Sequence, residues 1–197
     1  MISEALSSFW ARGFCGVDVD ALTRRTRLNR HSLYGAFGGK RGIFHIALES
    51  YADTIAAEFL EGLASGTGLD AIMRYFGEAS TRLAVDGERA NVSNGCFIAN
   101  TVIEMGRSDD AVNAIIDHYY DRIHRALADA IGRGQGDGSV RTDLDSDQIA
   151  QLLIATSQGM SLGARFGRTT PGLLAALQAA LAAVPTQAVQ AITSREN

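Results

Sequence analysis

Apolar residues recur at spacings of three and four along nearly the whole chain, the mark of amphipathic helices. Ala5, Leu6, Phe9 and Trp10 fall on one face of a helix over Ile2–Arg12, which Gly13 ends. Asp18 is a good N-cap for a second helix, Val19–Thr26, with Val19, Leu22 and Thr23 inward. Arg27-Leu28 makes a turn, and Asn29 caps a short helix over Arg30–Phe37. Two helices of this length on a tight turn form a helix-turn-helix unit. Gly38-Gly39 breaks the chain, and Lys40 opens a long helix to about Leu63 with Ile43, Phe44, Ala47, Tyr51, Ile55 and Phe59 inward.

The same periodicity continues downstream. Ile72, Tyr75, Phe76, Ala79 and Leu83 form a stripe within Leu69–Val85. The polar stretch from Asp86 to Gly95 reads as a loop or a weak helix start. Cys96–Met105 is almost wholly apolar and predicts a buried central helix. Val112, Ile115, Ile116, Tyr119, Ile123 and Leu127 mark a helix over Asp109–Ile131. Four glycines between Gly132 and Gly138 predict a flexible connection. Asp145 or Ser146 caps a helix to about Phe166, and Pro171 is placed in the first turn of a final Ala-rich helix. From Pro185 the pattern fades. No alternating strand pattern stands out, so the fold class is all-α.

Charge adds a sharper clue. From Ala21 to Leu48 the chain carries Arg24, Arg25, Arg27, Arg30, Lys40 and Arg41 and no acidic residue, whereas the whole protein has a net charge of -4. A basic segment on an acidic body fits a phosphate backbone, whose counterions it displaces. The other reading is a solvated basic face. Cys15 and Cys96 are too few and too far apart for a disulfide framework or a zinc site. The start of the chain has no basic n-region or long apolar run, and no stretch is long enough for a membrane span. A cytoplasmic protein with reduced thiols is expected.

The residues Gly13-Phe14, Val19, Leu22, Leu28, Ser32-Leu33-Tyr34, Phe37, Lys40 and Ile43-Phe44 together resemble the DNA-binding domain of the TetR family of transcriptional repressors. Gly95-Cys96, Asn100 and Glu104 are similar to a Gly-Cys-x-x-x-Asn helix of one branch, as Gln158-Gly159-Met160 and Ala164-Arg165 are to its penultimate helix. The resemblance implies about nine helices. It implies a DNA-binding head at 1–46, a ligand-sensing and dimerising body at 47–185, and a tail at 186–197. It also implies a homodimer on a palindromic double-stranded DNA operator, released by a small-molecule effector. Arg27 stands where the family has Gly at the turn, so a non-glycine residue has to hold a strained conformation there. Val17-Asp18 replaces Thr-Ser, and Asp20 adds an acid on the DNA-facing unit.

In this frame Arg30, with His31 or Ser32, reads base edges in the major groove, and Tyr34 meets phosphate or a thymine methyl. Lys40 anchors phosphate at a helix N-terminus, and Arg24, Arg25 and Arg27 supply backbone contacts. In the body, polar residues on apolar helices are the effector candidates: Asn100, Glu104, Tyr119, Tyr120, Ser157 and Arg165. A buried Glu104 needs a partner, supplied by ligand, Arg165 or Tyr119, or else these groups form a satisfied core network. Cys96, at a helix N-terminus that stabilises thiolate, is a possible redox or electrophile sensor; the plain alternative is inert packing.

Small residues Ala155, Gly159, Ser161, Gly163, Ala175, Ala176, Ala179, Ala180 and Ala183 permit close helix approach. With Leu152, Leu153, Met160, Leu174, Leu177 and Leu181 they predict homodimerisation through the last two helices. No catalytic, metal or cofactor motif is found; Asp117-His118 and His124 are scattered rather than clustered. One further reading stays open, a helical module that binds nucleic acid without sequence preference; an enzyme is not expected.

Overall fold

The capping residues read from the sequence sit where helices begin. In the computed structural model, which describes residues 1–83, 94–168 and 171–183, there are nine helices among the described residues. They are α1 (Ile2–Arg12), α2 (Val19–Thr26), α3 (Arg30–Phe37), α4 (Lys40–Leu63), α5 (Gly68–Leu83), α6 (Phe97–Met105), α7 (Asp110–Asp137), α8 (Ser146–Arg165) and α9 (Leu173–Leu181). Asp18 accepts a hydrogen bond from the Ala21 N–H, Asn29 from Ser32 and Asp145 from Gln148. Each satisfies an amide that its helix cannot. Extended pairing among the described residues is confined to one bridge, Val140 with Ala182. The fold is all-α.

Helices α1 to α3 pack on the first half of α4 around Ala5, Phe9, Leu22, Leu33, Ile43 and Phe44, all fully buried. The second half of α4 packs against α5 and α7, and α7 against α8. Aromatic rings join the two halves. Phe97 of α6 meets the edges of both Phe44 and Tyr51 of α4, each at 5.7 Å between centroids. Phe9 meets Phe44 at 5.1 Å in the same manner. Offset and edge-on geometry of this kind adds to the burial of the rings.

The structure corrects four expectations. The glycine run from Gly132 is no flexible connection: α7 continues to Asp137, and Gly138 ends it at φ 79°. Within the run, Gly134 serves close approach. A Cβ at Gly68 would collide with the backbone of Gly134 and Ala130, and a Cβ at Gly134 with the Val140 side chain. The start of α5 therefore lies directly on the end of α7, where Asp137 also accepts from the Gly68 N–H at 2.9 Å. Helix α6 is not buried throughout. Phe97, Ile98 and Thr101 are inside, but Val102, Ile103 and Glu104 are exposed, so its apolar content covers two faces. Pro171 precedes α9, whose N-cap is Gly172 in the left-handed region, rather than lying in its first turn. Of the residues expected at a dimer face, Leu153, Met160, Ser161 and Leu181 are buried within the single chain. They fill the inner face of α8 and α9. The readings for Asp86–Ser93 and for the tail from Pro185 lie outside the described residues.

Candidate functional site

The head presents a short helix on a turn of defined geometry. Arg27 ends α2 at φ 59° and ψ 24°, a left-handed conformation that is uncommon for a non-glycine residue. Leu33 anchors α3 from below, fully buried. The outer face of α3 then carries Arg30, His31 and Tyr34, the last 58% exposed, while Ser32 is half-buried. Arg24 and Arg27 are exposed and hold no ion pair among the described residues. Arg25 lies 3.8 Å from Glu4. The Lys40 ammonium sits 4.3 Å from the centre of the Phe14 ring, a cation–π contact that fixes its position at the start of α4.

Asp18 and Asp20 have different roles on this basic unit. Asp18 is spent on capping, and the Ala21 amide holds its carboxyl below the usual range. Asp20 is paired with Arg30 through both Nε (3.2 Å) and Nη2 (2.7 Å). The first residue of α3 is thus held by an internal carboxylate. Both groups are well exposed, so the pair is weak and exchangeable. Asp20→Asn is expected to raise affinity for DNA about threefold to tenfold at low salt, because Arg30 no longer leaves a partner and one repulsive charge is gone. Fluorescence anisotropy on a labelled duplex checks this; unchanged affinity would mean that Arg30 does not reach the DNA.

The other cation of the run turns away. Arg41 donates through Nε to Asp109 at 2.7 Å, and His45 Nε2 lies 3.0 Å from the same carboxylate oxygen. The second oxygen of Asp109 caps α7 by accepting from the Ala111 and Val112 amides. Arg41 and these hydrogen bonds pull the Asp109 carboxyl far below its usual range. One carboxylate, 3% exposed, thereby ties the first turns of α4 to the start of α7.

Below the head, α1, α4, α5, α7 and α8 enclose a cavity of about 250 Å³. Its walls include Trp10, Tyr51, Phe59, Tyr75, Tyr119 and Tyr120, together with Cys96, Ser157 and Arg82. Of the effector candidates, Tyr119, Tyr120 and Ser157 are therefore brought together, and Cys96 lies on the same wall. Burial pushes the Tyr75 and Tyr120 hydroxyls up to about 12 and those of Tyr51 and Tyr119 well above the ordinary range, so all four are neutral donors. Burial also pushes the Cys96 thiol up, outweighing the amides of Ala99 and Ile98 at the start of α6. The helix N-terminus thus does not offset the burial of the thiol.

Asn100, Glu104 and Arg165 go elsewhere, to a second hollow between α1, α6 and α8. Glu104 has neither Arg165 nor Tyr119 as partner. Its carboxylate accepts from the backbone N–H groups of Phe14 (2.8 Å) and Cys15 (2.7 Å), which the bend at Gly13 turns toward it. Asn100 and Arg165 both donate to the Asn94 carbonyl.

Sequence reasoning missed Trp10, Tyr51 and Tyr75 as wall residues, having assigned them only to the core. Trp10 belongs to the head, yet its indole N–H donates to the Gly95 carbonyl at 3.1 Å, next to Cys96. Applying the criterion of polar atoms on apolar stripes to every tyrosine would have found the other two.

Residues 68–180 match the family model described as tetracyclin repressor-like, C-terminal domain. The chain is 23% identical over 182 residues to the HTH-type transcriptional repressor ComR of Escherichia coli (strain K12), covering 88% of this chain and 81% of ComR. Its structure is similar to that of the reduced form of E. coli NemR, with a TM-score of 0.82 and 22% identity over 94% of this chain and 96% of that one. It is also similar to a TetR family regulator, a CifR cysteine mutant, complexed with 26-bp double-strand operator DNA; there the TM-score is 0.73 and identity 24%, over 90% and 91% of the two chains. With the helix-turn-helix head in place and more than half of the sequence matched by the family's C-terminal domain, the chain belongs to the TetR family of DNA-binding transcriptional regulators.

Proposed function

We propose that this protein is a repressor whose two heads, in a homodimer, bind a palindromic operator and let go when a small molecule occupies the aromatic cavity. The observation that carries this reading is the physical link between cavity and head. Trp10 of α1 and Tyr51 of α4 line the cavity; α4 packs directly on α3, and α1 packs on α4 and on α2, the helix before α3. A ligand that moves either wall shifts the helix that faces DNA. Residues 1–46 form the head in this reading and 47–185 the body, with α4 running through both. The Gly95-Cys96 to Asn100 segment fits the branch with a Gly-Cys-x-x-x-Asn helix.

The DNA contacts proposed are Arg30, His31 and Ser32 to base edges and Tyr34 and Lys40 to phosphate, with Arg24, Arg25 and Arg27 along the backbone. Dimerisation is proposed through one stripe of α8, where Leu152, Ala155, Gly159, Leu162 and Phe166 are all exposed at alternating spacings of three and four. Phe166 is 78% exposed and Leu152 58%. Leu174 and the exposed alanines of α9 complete the face. Contiguous apolar exposure of this kind marks an interface, and two-fold symmetry matches a palindrome.

Selection of binding sites from a random-sequence duplex pool tests the reading. A palindrome with half-sites about one helical turn or a multiple apart is expected, bound by a dimer and resistant to competitor DNA. Recovery of no enriched sequence would leave only non-specific binding.

A second reading, covalent sensing at Cys96, has one observation in its favour: the thiol forms part of the cavity wall. Its neutral state weighs the other way. With iodoacetamide at neutral pH, the exposed Cys15 is expected to react at least about tenfold faster than Cys96, measured by peptide mass spectrometry. Faster labelling of Cys96 would favour the covalent reading.

A further inference from the structure

Lys40 opens α4, yet its surroundings are held from α6 and α7. Its ammonium sits over the Phe14 ring, which stands edge-on to Phe44 at 5.0 Å between centroids. Phe44 thus supports the ring from the side of α4. The Phe14 backbone is fixed from the other side. Glu104, in the last turn of α6, accepts from the Phe14 N–H at 2.8 Å through one carboxylate oxygen and from the Cys15 N–H at 2.7 Å through the other. Consecutive amides that converge on one anion form a nest, and hydrogen bonds to a charged acceptor are the stronger kind.

The approach depends on Gly13. Its φ of 73° turns the chain after α1 so that the two amides face α6, and a Cβ there would lie 2.5 Å from a Glu104 oxygen. Any side chain at residue 13 would displace the carboxylate. The residue after Lys40 is gripped from the same quarter. Arg41 donates to Asp109, the N-cap of α7, which follows the end of α6 by four residues. One corner of the fold, where α6 gives way to α7, therefore holds Lys40 twice. It acts through the ring beneath the ammonium and through the next residue of the helix.

We propose that Glu104 is a positioning residue for DNA binding: its clasp on the Phe14 and Cys15 amides keeps the Phe14 ring beneath Lys40 and so aims the ammonium at phosphate. This rests on the reading, given above, of Lys40 as a phosphate contact. Without the clasp the ring gains freedom, the cation–π contact loosens, and a long flexible side chain has to be ordered when DNA binds. The sign of the effect is distinctive. A carboxylate on a DNA-binding protein opposes binding by its charge alone. Removing Glu104 is nevertheless expected to weaken binding.

The salt dependence of binding to a mixed-sequence duplex, followed by fluorescence anisotropy on the full chain, tests this, since a phosphate contact appears in the slope whatever the sequence. Lys40→Ala is expected to reduce the slope of log K against log[salt] by about one per head. Glu104→Ala should reduce it by at least about half as much and weaken binding about threefold to tenfold at low salt. Glu104→Gln loses the same charge but keeps a carbonyl oxygen for the amides, so most of the parent slope is expected to remain. Adding Glu104→Ala to Lys40→Ala should cost nothing further, because no ammonium is left to aim. A variant that merely unfolds in part loses active protein at every salt concentration and keeps its slope.

A parent-like slope in Glu104→Ala, tighter binding by that variant at low salt, equal losses in Glu104→Gln and Glu104→Ala, or a further loss in the double variant would each overturn the positioning role while leaving Lys40 a phosphate contact. A parent-like slope in Lys40→Ala would overturn that contact and, with it, the role of Glu104.

Discussion

Arg30→Ala is expected to lower affinity for the selected operator about tenfold to a hundredfold and to flatten the preference at one base position of each half-site, guanine being the favoured partner. The position dictates this. Arg30 is the first residue of α3, where a helix entering the major groove brings side chains to base edges, and its planar guanidinium matches the two acceptors of guanine. Tyr34→Ala and Lys40→Ala should instead weaken all duplexes alike, since phosphate contacts carry no sequence information. The internal pair with Asp20 sharpens the test. If Arg30 reads a base, combining Asp20→Asn with Arg30→Ala gives no gain beyond the loss of one repulsive charge. Binding that falls equally on operator and random DNA in Arg30→Ala would move this residue to the backbone-contact set.

Asp109→Ala should be among the most destabilising single substitutions of a polar residue here, at about 2 kcal/mol, which lowers the melting temperature by about 4–8 °C for a chain of this size. It removes an N-cap from the longest helix and the shared acceptor of Arg41 and His45 in one step. Asp109→Asn keeps an acceptor for the cap and loses the charge, so roughly half of the deficit is expected. The pH dependence has a definite sign. The folded carboxyl titrates below its unfolded value of 3.8, so the advantage over Asp109→Asn is complete above about pH 4 and fades as pH falls further toward the folded value. Melting curves of the three proteins from pH 3.5 to 7.5 check both points. An alanine variant that melts within about 1 °C of the parent at neutral pH would show that water replaces the carboxylate at no cost.

Helices and caps were legible because they depend on near neighbours. Asp18, Asn29 and Asp145 each act within three residues of their own position, and the inward stripes of α4, α5 and α7 follow the 3.6-residue period. The glycine run was misjudged because propensity measures what glycine loses in an isolated helix. It does not register the clash that any Cβ would make with a second helix from 66 residues away, as Gly68 would with Gly134. The expected site residues divided on the same principle. Tyr119, Tyr120 and Ser157 face the cavity because the inner stripes of α7 and α8 do. Glu104 stands just past the inner stripe of α6, and what it meets is set by a bend 89–90 residues earlier in the chain. The raised Cys96 thiol is likewise a result of surroundings assembled by α4, α5 and α7, which outweigh a local helix effect.

The place of Trp10 bears on how such regulators can be recombined. A helix that belongs to the DNA-reading half supplies part of the cavity wall and donates its indole N–H across to Gly95. A chimaera that grafts another family member's first 46 residues onto this body would change ligand preference along with operator choice, unless the graft brought a tryptophan at the same place. On the proposed function, the two specificities would therefore not be independently heritable, and an inducible circuit built by exchanging heads would have to carry residue 10 with the body.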